Sequence, residues 1–109
     1  MKFRRERLSN LIREKVAKIV SREVEFPEGK LVTITQVNVS KDLREAVVKF
    51  NVFPSDDKIE GKKILNTHRN FIQSRLFKTI EIAVVPKIRF EYDKGAENIA
   101  VIEKIILKG

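Results

Sequence analysis

The feature that most constrains this chain is the way its hydrophobic period changes along its length. Over Arg4–Glu23 the apolar residues Leu8, Leu11, Ile12, Val16, Ile19 and Val20 recur at spacings of three and four, one stripe of an α-helix. Phe26-Pro27-Glu28-Gly29 ends that pattern as a turn. Leu31–Val39 is rich in Val, Ile and Thr and reads as a strand. Its alternation slips once, with Val32 and Ile34 on one parity and Val37 and Val39 on the other, so a bulge or burial of both faces is expected. After the short polar stretch Lys41–Glu45, the residues Ala46, Val48, Phe50 and Val52 alternate cleanly, which makes a second strand, antiparallel to the first, with its even positions facing a core.

Pro54-Ser55-Asp56-Asp57 breaks this strand and offers N-cap side chains for a helix over Lys58–Lys78. Ile64, Leu65, His68, Phe71, Ile72 and Leu76 share its apolar face. Arg75 falls in the same stripe if the helix is straight. A charge there is costly, so either its stem reaches out to water or the helix bends between Leu65 and Phe71, which we favour. A third strand is expected over Ile82–Tyr92, with Pro86 confined to an edge, an end or a bulge. Asp93–Glu97 reads as a turn, and Ile99–Leu107 as a short helix whose isoleucines would also suit a strand. At 109 residues, 42% hydrophobic and without repeats, the chain is read as a single domain over residues 1–109. The expected fold is α+β: a two-layer domain in the order α-β-β-α(kinked)-β-α, with a three-stranded sheet and helices packed on one face.

Composition narrows the chemistry. There is no cysteine and one histidine, so disulfides, thiolate metal sites and Cys-based nucleophilic catalysis are excluded. His68, on an apolar helix face, is expected to be a packed, hydrogen-bonded residue rather than a base or ligand. Asp56 and Asp57 near Glu60 are explained by helix capping rather than a metal. No Gly-rich phosphate loop, carboxylate pair or nucleophile–base pattern stands out, so no enzyme, cofactor, metal or small-molecule substrate is expected. No run of some 18 apolar residues occurs, so no membrane span is expected. The charged opening residues lead into an amphipathic pattern rather than a secretory signal, so a cytoplasmic, monomeric protein is expected.

With 23 Lys+Arg against 15 Asp+Glu the net charge is +8, and a small domain this basic favours a polyanion, nucleic acid before an anionic membrane. Residues 58–78 hold six cations (Lys58, Lys62, Lys63, Arg69, Arg75, Lys78) and one acid, Glu60, a net +5. Residues 1–30 hold nine cations and five acids, a net +4. Lys62, Lys63, Arg69, Gln73 and Lys78 are the candidate RNA-binding residues of the second helix, with Lys62, Arg69 and Gln73 facing away from its apolar stripe. Arg4, Arg5 and Arg7 are those of the first helix. A row of phosphate contacts of this kind positions RNA without reading sequence; a merely solvated face is the alternative. Phe3 and Phe77 lie off the main apolar stripes and Phe53 sits on the odd face of its strand; each is expected to pack rather than stack on bases, while Phe50, Phe71 and Phe90 look like core.

Four segments resemble the ribosome-binding factor A family. Arg4-Arg5-Glu6-Arg7-Leu8 opens the first helix. Val32-Thr33-Ile34-Thr35-Gln36-Val37-Asn38-Val39-Ser40-Lys41-Asp42-Leu43, followed by Ala46, is similar to its strand-and-turn signature. Phe71-Ile72-Gln73-Ser74-Arg75-Leu76 resembles its second long helix, and Val85-Pro86-Lys87-Ile88-Arg89-Phe90-Glu91-Tyr92-Asp93 its last strand. The resemblance spans nearly the whole chain in order. It implies a fold like a type II KH domain and transient, non-catalytic binding to the immature small (30S) ribosomal subunit through its 16S rRNA. It also implies late processing of that RNA, a link to growth in the cold, and release when a GTPase or the mature fold displaces the factor. The chain departs from the family at the Ala-X-Gly step that kinks the second helix, where it has His68-Arg69-Asn70; Asn70 could accept a positive φ in place of Gly. It also lacks the Gly-X-X-Gly loop by which most KH domains clamp nucleotides, which favours recognition of backbone or shape. The rival reading is a KH-like protein–protein interaction module for an acidic partner.

Overall fold

The computed structural model describes residues 2–95, with side chains from Arg4 onward. Its elements are α1 (Lys2–Glu23), β1 (Leu31–Val39), β2 (Glu45–Phe53), a 3-10 turn (Ser55–Asp57), α2 (Lys58–Thr67), α3 (Arg69–Thr79) and β3 (Lys87–Tyr92). The side chain of Phe3 and the helix expected over Ile99–Leu107 lie outside the described residues.

The sheet order is β1-β2-β3. β1 and β2 form an antiparallel hairpin from Leu31↔Phe53 to Val39↔Ala46. The slip in β1's alternation is a bulge: the register shifts between Ile34 and Gln36, so Ile34, Val37 and Val39 are all buried despite their mixed parity. The Thr35 hydroxyl donates to Asp93 Oδ2 at 2.6 Å. β3 lies parallel to β2, from Glu45↔Lys87 to Phe50↔Tyr92. A parallel neighbour needs a long crossover, and residues 54–86 supply it with α2 and α3.

One face of the sheet carries the core. Ala46, Val48, Phe50 and Val52 of β2 and Ile88 and Phe90 of β3 meet Ile12, Val16 and Val20 of α1, Leu65 of α2, and Ile72 and Leu76 of α3. Each such Val, Ile, Leu or Phe side chain, removed from water, contributes about 1.5–3 kcal/mol. Among the described residues no polar or charged residue is buried. Leu11, placed in the α1 stripe by its spacing, sits at the rim and is 36% exposed. Gly61 has a steric reason: a Cβ there would lie 2.6 Å from Val52 Cγ2, so only glycine lets α2 lie this close to β2.

The long second helix is interrupted at His68, whose φ of −96° and ψ of 5° put it in the bridge region. The kink therefore survives the His68-Arg69-Asn70 replacement, but not through Asn70: the positive φ of a non-glycine residue in the described chain belongs to Leu43. The His68 ring closes the break by donating from Nδ1 to the Ile64 carbonyl at 2.9 Å, the hydrogen-bonded role expected of it. Arg75 lies out of the apolar stripe and in water, where it pairs with Glu23 at 3.1 Å. Phe71 goes with it. It is 39% exposed rather than core, and its ring lies 5.3 Å from the Arg75 guanidinium.

Three other expectations are corrected. Neither Asp57 nor any other side chain caps α2; Asp57 instead pairs with Lys30. β3 begins only at Lys87, because Pro86 has no amide to donate and the Ile82–Val85 stretch bends along the surface. Lys94 and Gly95 already have helical backbone where the sequence reads as a turn.

Candidate nucleic-acid interface

Lys30 organises the start of α2. Its ammonium pairs with Asp57 and lies 3.9 Å from Glu60, and the hydrogen bond to Asp57 holds its pKa above the usual value. Asp57 and Glu60 are thus turned toward Lys30. Lys62 and Lys63, on the following turn, stay exposed and make no ion pair among the described residues. With Ile59, Asn66 and Thr67 they line a shallow open concavity. Ile59 is 79% exposed, an apolar residue amid lysines that the helical period gives no cause to expect there. Lys58 lies over the Tyr92 ring, 5.5 Å from its centroid.

Arg69 opens α3 and Lys78 lies in its last turn, both exposed. Gln73 does not join them. Its amide nitrogen donates to the Pro86 carbonyl at 3.0 Å, and its oxygen accepts from the Ile88 amide at 2.8 Å. Lys87 N–H points to β2, where it donates to the Arg44 carbonyl, so the Ile88 amide points to the outer edge of β3. Gln73 meets that edge as one peptide group of a neighbouring strand would. It is held half-buried, with its amide committed to β3. Helical periodicity alone could not place it, because the segment that folds back against α3 follows it in sequence.

Arg4 and Arg7 are exposed, and Arg5 is half-buried in a polar cleft with Asn10 of α1 and Gln36–Val39 of β1. These arginines lie at the turn end of the hairpin. α2 starts at the opposite end, with Gly61 over Val52. The structure therefore does not bring the two predicted basic groups together. It gathers other cations that were not singled out: the parallel pairing of β2 and β3 sets Lys87 beside Glu45 and Arg89 beside Val47, next to Lys41 and Arg44 in the β1–β2 turn. No linear count of charge reveals this, because the residues come from separate segments.

Phe53 and Phe77 are 56% and 64% exposed, more than packing residues would be. Phe77 forms an open groove with Val84, also 64% exposed, bordered by Asn70, Ser74 and Lys87. Among the described residues no group of three or more His, Cys, Asp or Glu could hold a metal ion, and no helix is long and apolar enough to cross a membrane.

The sequence profile of the family described as ribosome-binding factor A matches residues 4–106. A ribosome-binding factor A from Dictyoglomus thermophilum is 40% identical over 100 residues, covering 90% of this chain and 83% of that protein. One from Acetivibrio thermocellus is 35% identical over 103 residues, covering 93% and 84%. A Thermotoga maritima protein solved by NMR superposes with a TM-score of 0.73 at 28% identity, over 87% of this chain and 92% of that one. A homology model of the Thermus thermophilus ribosome binding factor A, as fitted into a cryo-EM map of a 30S complex, superposes at 0.70 with 18% identity, over 82% and 94%, a likeness of fold. The match along nearly the whole sequence and the agreement in fold place this chain in the ribosome-binding factor A family.

Proposed function

We propose that this protein is a non-catalytic assembly factor that docks on the immature 30S subunit through phosphates of its 16S rRNA, assists late processing of that RNA, and is needed most in the cold. The observation that carries this reading is the arrangement on α2, where Asp57 and Glu60 turn toward Lys30 and leave Lys62 and Lys63 facing solvent. Phosphate contacts of this kind fix orientation without reading bases. A factor that binds one RNA conformation better than its competitors shifts the population toward it. Cooling stabilises alternative RNA pairings, which is when such a bias matters most.

Co-sedimentation with small subunits across a salt series tests this. Association should be strong at low salt and fall with a log–log slope of about 0.7–0.9 per phosphate neutralised. Reversing Lys62, Lys63 and Arg69 together to Glu should lower the slope by about 2–3 and leave the fold intact. No association at low salt would refute the proposal. A protein-binding role draws on the Phe77–Val84 groove instead; it predicts association that survives nuclease treatment, whereas docking through rRNA is lost.

A further inference from the structure

The turn end of the sheet collects cations from three places in the sequence: Arg4, Arg5 and Arg7 of α1, Lys41 and Arg44 of the β1–β2 turn, and Lys87 and Arg89 of β3. All but Arg5 are exposed, and none makes an ion pair among the described residues. Three acids lie among them: Glu6, Asp42 and Glu45. Asp42 is engaged by the turn itself. Its Oδ1 accepts from the Ser40 hydroxyl at 2.6 Å and from the Arg44 amide at 3.1 Å, contacts that hold its pKa below the ordinary carboxylate range. Lys87 and Arg89, on the face opposite the helices, and Lys41 and Arg44 of the adjoining turn outnumber Asp42, which is committed to holding the backbone, and Glu45; the arginines of α1 lie on the helical side.

The two surfaces are separate. Gly61 of α2 packs over Val52, near the open end of β2, whereas Arg44 and Lys87 flank Ala46 at its beginning. Six residues of strand separate these points, about 20 Å at 3.3–3.4 Å per residue. That is beyond the screening length of roughly 8 Å at physiological salt, so the two groups act as independent charges rather than one patch.

We propose that the turn end is a second RNA-phosphate surface, and that one molecule of the factor holds two RNA segments at once, one on Lys62 and Lys63 and the other on Lys41, Arg44, Lys87 and Arg89. This rests on the RNA-docking role proposed above. It adds to that role a geometric consequence: the factor fixes the distance between two RNA elements instead of decorating one.

The probe is a short RNA hairpin prepared in two forms, one carrying a donor dye and the other an acceptor. Added protein should bring the two together, and energy transfer should rise and then fall as excess protein gives each hairpin its own partner. Sedimentation near the maximum should find two hairpins per protein molecule. Lys62→Glu/Lys63→Glu and Lys41→Glu/Arg44→Glu/Lys87→Glu should each keep binding one hairpin, with the salt slope lowered by about 1–2 and about 2–3 respectively, and each should lose energy transfer. Saturation at one hairpin per protein, or an unchanged slope in the Lys41/Arg44/Lys87 variant, overturns the proposal while leaving RNA docking in place. Wild-type protein that binds no hairpin at low salt overturns both.

Discussion

Gly61→Ala tests whether α2 lies as close to β2 as described. A methyl group at residue 61 would meet Val52 Cγ2 at 2.6 Å, against 3.4–4 Å for ordinary contact, so something must move by about 0.8 Å. Val52 cannot easily yield. It is 3% exposed, sits in a strand, and its branched side chain has few rotamers. Overpacking of this kind costs about 1–3 kcal/mol. Replacing glycine by alanine inside a helix returns about 1 kcal/mol of propensity. The net is a loss of up to about 2 kcal/mol, and each 1 kcal/mol lowers the melting temperature of a domain this size by about 4–8 °C. The sharper test is a double-mutant cycle. In a Val52→Ala background the obstructing methyl is gone, and the same Gly61→Ala change should stabilise by up to about 1 kcal/mol, the propensity term alone. Thermal or urea unfolding of the four proteins measures both effects. A Gly61→Ala change that stabilises equally in both backgrounds would refute the close approach, and with it the placement of Lys62 and Lys63.

Gln73→Leu leaves the Pro86 carbonyl and the Ile88 amide without their partner, and should cost about 1–3 kcal/mol; faster hydrogen exchange at the Ile88 amide would locate the loss. Asp42 has a lowered pKa in the fold, so the stability it adds is present above the unfolded value of about 3.9 and is lost as pH falls through the lower folded value. Asp42→Asn should therefore flatten that part of the acid limb of an unfolding-versus-pH curve. Lys30 behaves oppositely. Its pKa is raised, so its contribution is full below about 10.4 and disappears as pH rises through the folded value; Lys30→Met should remove that alkaline loss.

Much of the fold is legible in the sequence because local pattern and tertiary packing agree. The parity slip between Ile34 and Val37 is the bulge, and the awkward phase of Arg75 is the break at His68. What local pattern cannot carry is the geometry of chain return. Ile82–Val85 has the composition of a strand, but the parallel ladder starts only where Lys87 can donate to Arg44. Gln73 reads as an outward polar residue because its partners, Pro86 and Ile88, arrive thirteen and fifteen positions later. Phe71 looks buried because a straight helix is assumed in counting its face. The candidate site divides the same way. Lys62 and Lys63 can be found by counting charge in a window, whereas Lys41, Arg44, Lys87 and Arg89 become neighbours only through strand pairing.

The amide of Gln73 has a consequence for how this protein behaves in concentrated solution. β3 is an outer strand, and an outer strand with a free run of donors and acceptors is a template for another chain. By occupying the Ile88 donor and the Pro86 acceptor, one side chain removes the first rung on which an incoming strand would register. The molecule thereby discourages its own copies from stacking edge to edge.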